Sequence, residues 1–140
     1  MNMKKIYTIG HSLTGTNKFL QKLRDYGIEI LVDVRTIPYS SRAKQFNREF
    51  ISKKLAEKNI EYLYRGKNLG GRGENIDFDA TVDEIKTLAS LRTTVLMCSE
   101  GVYKQCHRYT ILTPLFEKKG LLVEHIEWKE NKVKQQSLFA

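Results

Sequence analysis

Short apolar runs alternate along the chain with segments whose apolar residues recur at helical spacing. The short runs predict β-strands. The run from residue 28 to residue 34 is interrupted only by Glu29 and Asp33, which predicts a central strand covered on both faces. The five predicted strands are residues 6–9, 28–34, 60–64, 94–97 and 121–126.

Four amphipathic helices are predicted between these strands. Thr14 or Thr16 is the candidate cap of the first helix, and Gly27 closes it. Asn47 is the candidate cap of the second helix, and Asn59 ends it. The apolar faces consist of Phe19, Leu20, Leu23 and Tyr26; of Phe50, Ile51 and Leu55; of Val82, Ile85, Leu88 and Ala89; and of Ile111, Leu112, Leu115 and Phe116.

Strands that alternate with helices are typical of a parallel sheet wound by right-handed crossovers. We therefore predict the α/β class, a three-layer αβα sandwich around a mostly parallel, doubly wound sheet of about five strands. Residues 1–128 are predicted to form a single domain, and residues 129–140 a polar tail. Residues 36–45 are long enough for a mobile loop over the site, and residues 66–73 are predicted to be a loop.

Composition narrows the class of protein. The chain has 140 residues, 41% hydrophobic and 29% charged, which suits one globular domain that needs neither disulfides nor a structural metal. No apolar run approaches the ~20 residues of a membrane span, and we expect no signal peptide and a cytoplasmic location. The two cysteines, Cys98 and Cys106, are expected to be free thiols in a reducing compartment.

The net charge of +8 is unevenly distributed. Residues 1–70 carry 14 Lys and Arg against 6 Asp and Glu, whereas residues 71–140 carry 10 of each kind. The excess is centred on residues 35–67, and clustered bases favour an anionic partner such as a nucleotide, a sugar phosphate or nucleic acid. A solvated helix face that serves only solubility is the alternative. The bases are Arg35, Arg42, Lys44, Arg48, Lys53, Lys54, Lys58, Arg65 and Lys67.

Polar residues follow the predicted strands at their carboxyl ends, where ligands bind in parallel α/β sheets. Their coincidence at one edge predicts a single polar crevice. The residues are Gly10, His11 and Ser12 after the first strand, Asp33 and Arg35 at the second, Arg65, Gly70 and Gly71 after the third, Cys98 and Glu100 at the fourth, and Cys106, His107 and Arg108 where the fourth helix opens.

Several of these motifs have a purely structural alternative. Gly10-His11-Ser12 is either an anion-cradling turn or a plain tight turn, and it has too few glycines for a dinucleotide fingerprint. Arg35 is placed to bind phosphate with Asp33 orienting it, or the two form a structural ion pair. Gly70-Gly71 provides either a close approach to a ligand or positive φ angles. His125 lies in an apolar strand and is predicted to be a satisfied core residue.

The segment from residue 97 to residue 108 allows three interpretations. A cysteine between a strand and a helix is typical of phosphatase and rhodanese loops, but the phosphatase pattern needs Arg where Lys104 stands. The second interpretation is a Cys98 or Cys106 nucleophile with His107 as its base, or acid–base chemistry by Glu100. Adjacent Cys106 and His107 would not face each other on a helix. The third is zinc, at a spacing that is not standard, and we predict no metal.

A set of short motifs occurs in order along most of the chain. They are Thr8-Ile9-Gly10-His11-Ser12, Asp33-Val34-Arg35 with Pro38 and Ser40, Tyr62 with Leu69-Gly70-Gly71, Leu96-Met97-Cys98 with Glu100, Cys106-His107-Arg108 and His125-Ile126. Over about residues 6–126 these pieces resemble the domain of unknown function 488 family. The resemblance implies an α/β fold and a polar site made of these motifs, but no activity. The loop at residues 101–105 departs from the charged, proline-containing version expected in that family.

The sequence thus predicts an enzyme that binds a phosphate-bearing ligand, a nucleotide or nucleic acid, at the carboxyl edge of the sheet. Nearby aromatic residues are placed to stack on bases or to belong to the core. A non-catalytic nucleic-acid-binding module and a thiol redox or metal protein are the alternatives, and no cofactor or membrane partner is expected. The expected roles are anion binding by Arg35 and Arg108, proton transfer by Glu100 or His11, nucleophile or polar wall by Cys98 or Cys106, and stacking by Tyr39, Phe46, Tyr62 and Tyr64.

Overall fold

The computed structural model of the chain describes residues 4–70, 75–100 and 111–128. Each of the five predicted strands is present in these ranges, with ends that differ from the prediction by at most two residues. The strands are β1 (Lys4–Gly10), β2 (Ile30–Asp33), β3 (Glu61–Tyr64), β4 (Thr94–Cys98) and β5 (Leu121–His125). The helices are α1 (Thr16–Asp25), α2 (Arg48–Glu57), α3 (Gly66–Leu69), α4 (Phe78–Leu91) and α5 (Thr113–Lys118).

The five strands form one parallel sheet in the order β3-β2-β4-β1-β5. This confirms the predicted α/β class. β2 is buried at all four positions, as predicted for a strand covered on both faces. The prediction that β2 is central holds only in part, because β4 occupies the middle of the sheet and β2 lies between β4 and β3. Both strands are fully buried, so hydrophobicity alone does not rank them.

Helices cover both faces of the sheet. Residues of α1 and α2, among them Phe19, form one buried cluster with Leu31. Residues of α4 and α5, among them Phe116, form a second cluster with Val32. Leu31 and Val32 are consecutive in β2, so their side chains point to opposite faces. The architecture is therefore consistent with the predicted three-layer sandwich, and each fully buried Phe side chain contributes roughly 2–3 kcal/mol by leaving water.

Helix ends follow local signals, but one predicted cap is wrong. Gly27 and Asn59 have φ angles of 67° and 60° and follow the last turns of α1 and α2, as predicted. The N-cap of α1 is Gly15, with no side-chain cap, rather than Thr14 or Thr16. Extended backbone at Gly15 lets the chain enter the helix without a capping hydroxyl.

The segments predicted as loops contain short helical turns. Residues 44–46 form a 3₁₀ turn that buries Ala43 and Phe46. The loop expectation for residues 66–73 is wrong for Gly66–Leu69, because these residues close one helical turn that buries Leu69 and satisfies the Gly70 N–H through the Gly66 carbonyl, at 2.8 Å. Residues 71–74 lie outside the described residues.

The predicted tail, residues 129–140, also lies outside the described residues. In the described ranges, no helix combines the length and apolar character needed to cross a membrane. His125 is hydrogen-bonded as predicted, since its Nδ1 lies 2.6 Å from the Oγ1 of buried Thr8, but it is half-buried rather than a core residue.

Candidate functional site

The sheet order places the carboxyl ends of β1, β4 and β2 side by side. The helices that follow β1 and β2 lie on one face of the sheet, whereas α5, which follows β4, lies on the other. Chain segments that leave neighbouring strands toward opposite faces open a gap at the strand ends, the usual place for ligands in such folds. Of the described site residues, Gly10, His11, Asp33, Arg35 and Cys98 therefore lie at the edge where this fold class binds ligands.

Asp33 and Arg35 form a buried, two-point ion pair at the end of β2. Arg35 Nε donates to Asp33 Oδ1 at 2.9 Å, and Nη2 donates to Oδ2 at 2.8 Å. Asp33 is 0% exposed and Arg35 is 7% exposed. Burial by itself lowers the pKa of the Arg35 guanidinium, but hydrogen bonds and the charge of Asp33 outweigh it and raise this pKa. The pair is a fixed guanidinium fork in a site from which most water is excluded.

Tyr62 of β3 completes the hydrogen bonding of the Asp33 carboxylate. Its hydroxyl donates to Oδ2 at 2.5 Å, and the backbone N–H of Arg35 donates to Oδ1 at 3.1 Å. Burial, followed by the charge of Asp33, raises the pKa of Tyr62 well above its ordinary value, so the phenol stays protonated. Each Asp33 oxygen thus accepts two hydrogen bonds, which fills the capacity of a carboxylate. Asp33 is an orienting group here rather than a base.

His11 lies between the ion pair and the chain that follows β1. Its Nδ1 lies 2.7 Å from the Ser12 carbonyl, which only accepts, so Nδ1 carries the proton. Its Nε2 then accepts from Arg35 Nη1 at 3.3 Å. Burial lowers the pKa of His11 to about 4; the nearby Arg35 charge acts in the same direction, and the hydrogen bond to Ser12 opposes it. At neutral pH His11 is an uncharged imidazole with both nitrogens engaged.

Phe46 holds the His11 ring in place. The two rings stack with centroids 4.3 Å apart and planes 14° apart, and Phe46 is completely buried. The segment from residue 36 to residue 49, which we call the rim segment, therefore covers one side of the site. The aromatic residues predicted to stack on bases have different environments. Phe46 packs in the core and the Tyr62 hydroxyl donates to Asp33, whereas Tyr39 is the most exposed of them, at 49%.

Cys98 is at the same sheet edge but on the other face. Side chains alternate along a strand, and Met97 packs with the α1 and α2 cluster while Cys98 packs with the α4 and α5 cluster. Its thiol donates to the Glu100 carbonyl at 3.6 Å, and it is buried. Glu100, two residues after Cys98, is exposed. The structure thus separates the Cys98 side chain from the group formed by His11, Asp33 and Arg35.

Four further predicted site residues, Gly10, Ser12, Arg65 and Tyr39, each form a hydrogen bond with a residue outside the Asp33–Arg35 ion pair. Gly10 is buried, and its carbonyl accepts from Trp128 Nε1 at 2.6 Å. Ser12 is exposed, with a φ of 52° that turns its carbonyl toward His11. Arg65 binds Glu84 of α4 through two hydrogen bonds of 2.8 and 2.9 Å. Tyr39 donates to the Glu49 carboxylate at 2.8 Å.

Two glycines let α3 pack tightly against the chain after β2. A Cβ on Gly66 would lie 1.7 Å from the Arg35 carbonyl oxygen, and one on Gly70 would lie 2.0 Å from Thr36 Oγ1. Gly70 has a φ of −68°, so its small size rather than a positive φ explains it. For Gly70-Gly71 we expected either a close approach to a ligand or positive φ angles. At Gly70 the structure shows a close approach, and the group approached is Thr36.

Sequence reasoning did not identify Arg48 or Gly66 as site residues. It left open whether Tyr62 and Phe46 stack on bases or belong to the core, and it did not predict their contacts with Asp33 and His11. The Arg48 guanidinium lies over the Tyr64 ring, 4.5 Å from its centre. Arg48 looks like any other surface base in the sequence, and its position depends on tertiary packing. A separate set of predicted residues, namely Gly71, Cys106, His107 and Arg108, lies outside the described residues. Among the described residues, no three His, Cys, Asp or Glu side chains are grouped to hold a metal.

Comparison with known families supports the resemblance found in the motifs. Residues 15–78 match the model of the family described as Domain of unknown function DUF488. The predicted resemblance to DUF488 is confirmed for this stretch. The DUF488 match includes Asp33, Arg35 and the whole rim segment, but ends before Cys98 and begins after His11. No curated protein and no solved structure matched the chain.

Proposed function

We propose that the protein is an enzyme that binds a phosphate-bearing ligand, a nucleotide or nucleic acid, over the carboxyl ends of β1, β4 and β2. One observation carries this proposal. Asp33 holds the Arg35 guanidinium in one orientation through Nε and Nη2. The third nitrogen, Nη1, lies beside the neutral imidazole of His11. A cation whose geometry is set before the ligand arrives binds an anion at a lower entropic cost than a flexible side chain does.

The geometry also refines the roles in this proposal. His11 has a pKa of about 4 and both nitrogens hydrogen-bonded, so it orients Arg35 rather than moving protons at neutral pH. Glu100, exposed at the end of β4, is the group that we assign to proton transfer. The buried Cys98 thiol packs with the α4 and α5 cluster, away from Arg35, which leaves Cys106 as the candidate nucleophile. A cytoplasmic location remains a prediction from the sequence.

Ligand binding to the Arg35→Lys variant tests this function. Lysine keeps the positive charge but cannot form the fork to Asp33, so we expect the affinity for nucleotides to fall by about tenfold or more. Arg92→Lys is the matched control, because Arg92 pairs with Glu61 and precedes β4, at the opposite edge of the sheet. Thermal unfolding of both variants establishes whether each is folded.

A measurement on the unaltered protein complements the variants. Addition of the nucleotide that binds should shift the NMR resonance of the Arg35 Nε–H, while that of Arg92 should stay in place. An unchanged Arg35 resonance at saturating ligand would contradict the assignment of the anion site. A chain that binds no nucleotide and no oligonucleotide would contradict the proposed function as a whole.

A further inference from the structure

The rim segment is anchored to the candidate site through its inner side. Phe46 stacks on His11, and the Tyr64 hydroxyl donates to the Thr36 carbonyl at 2.7 Å. Within the segment, the Asn47 side chain accepts from the Ser40 N–H at 2.7 Å. The segment therefore holds a defined shape next to the site instead of being a loop without contacts.

The outer side of the rim segment combines exposed apolar surface with bases. Ile37 and Tyr39 are 57% and 49% exposed. Arg42, Lys44 and Arg48 are also exposed. None of these three bases forms an ion pair with the described residues, whereas several bases elsewhere do, namely Lys5 with Glu124, Lys54 with Glu57, Arg65 with Glu84, Arg92 with Glu61 and Lys119 with Asp83.

The chain around Tyr39 is hydrogen-bonded to the chain around Arg48. Glu49 accepts the Tyr39 hydroxyl at 2.8 Å, and the Arg48 backbone N–H donates to the Pro38 carbonyl at 3.0 Å. The Arg48 guanidinium lies over the Tyr64 ring, 4.5 Å from its centre. An exposed ring and a guanidinium are thus presented together, each supported by a second contact, which reduces the entropy lost when a ligand binds them.

From this surface we infer that the ligand of the site is a single-stranded nucleic acid, which binds along the outer side of the rim segment. The inference rests on the proposed function and deepens it. A base stacks on Tyr39, and successive phosphates bind Arg42, Lys44 and Arg48. A mononucleotide reaches only part of this surface. A duplex keeps its bases stacked inside, so it cannot offer a ring face to Tyr39.

Fluorescence anisotropy with labelled 12-nucleotide DNA and RNA strands, and with the matching duplex, tests the inference in the full chain. We expect single strands to bind more tightly than the duplex and more tightly than a mononucleotide. In the Arg42→Ala/Lys44→Ala variant, the slope of log affinity against log salt should become shallower by about 1.4, because two phosphate contacts are lost. The matched control is Lys86→Ala/Lys118→Ala, which removes the same charge from exposed positions on α4 and α5.

Replacement of Tyr39 separates stacking from charge. Tyr39→Ala should weaken single-strand binding by about tenfold, whereas Tyr39→Trp should retain it. Equal loss in the rim and control double variants, or single-strand binding that Tyr39→Ala leaves unchanged, would overturn the inference. If a mononucleotide binds through Arg35 but single strands bind no more tightly, the inference fails while the proposed function stands. If neither ligand binds, both fail.

Discussion

His11 Nε2 lies 3.3 Å from Arg35 Nη1, although the two residues follow strands that are not neighbours in the sheet. β4 separates β1 from β2, so this contact passes over the end of β4. It joins the first strand to the Asp33 ion pair and makes the imidazole a part of the same buried network. Disturbance of any member of this network should therefore affect both stability and the shape of the site.

The Tyr62 hydroxyl is expected to contribute more to stability than an exposed tyrosine hydroxyl in the same kind of bond. Tyr62→Phe removes a half-buried donor to the fully buried Asp33 carboxylate and should lower the free energy of unfolding by about 1.5–3 kcal/mol. Tyr39→Phe removes an exposed donor to Glu49 and should lower the free energy of unfolding by clearly less, because water screens this bond. Urea unfolding of the two variants measures the difference, and equal costs would contradict this account of the network.

The buried ion pair should be far more sensitive to loss of one partner than a surface pair. Arg35→Met leaves the Asp33 carboxylate without its main partner at 0% exposure, so we expect a loss of about 3–5 kcal/mol in the free energy of unfolding. Arg92→Met breaks the exposed pair with Glu61 and should change it by at most about 1 kcal/mol. Chemical denaturation provides the comparison. Similar values for both variants would mean that water reaches Asp33.

His11 should make the folded state less stable as the pH falls from 6.5 to about 4. Above pH 6.5 the imidazole is neutral in both states. Below it, the unfolded chain binds a proton that the folded chain does not accept until its pKa of about 4 is reached. The free energy of unfolding should therefore fall by about 3 kcal/mol across this range.

The His11→Asn variant isolates this contribution, because its stability should lack that part of the pH dependence. NMR titration of the wild-type histidines gives an independent reading. A His11 ring that titrates near pH 6.5 in the folded protein would be inconsistent with its burial beside Arg35.

Gly66→Ala should disturb the site through the backbone. The added Cβ would lie 1.7 Å from the Arg35 carbonyl oxygen, so α3 or the chain after β2 must move. We expect a loss of about 1–3 kcal/mol and weaker ligand binding. Gly15→Ala is the control, since a Cβ there meets nothing within 4 Å, and its cost should stay below about 1 kcal/mol. Thermal unfolding together with ligand titration checks both, and a harmless Gly66→Ala would rule out the tight contact.

Much of the fold was predictable because its signals are local. Apolar runs and helical spacing depend on which face of an element is buried, and they located all five strands and the four longer helices. The glycine and asparagine at residues 27 and 59 end their helices because they tolerate positive φ angles. The prediction of Thr14 or Thr16 as the N-cap was wrong, because threonine is only preferred at this position. Gly15 occupies it with extended backbone.

The candidate site was predictable only as a list of residues at strand ends. The sequence by itself determined that Gly10, His11, Asp33, Arg35 and Cys98 come at the carboxyl ends of strands, and that bases collect between residues 35 and 67. Only the tertiary structure decided that β4 lies between β1 and β2, that His11 meets Arg35 and Phe46, and that Cys98 packs on the opposite face. The physical reason is that the spacing of hydrophobic residues determines which side of a strand or helix is buried. Which other elements pack against that side depends on the crossover connections and on contacts between residues far apart in the chain.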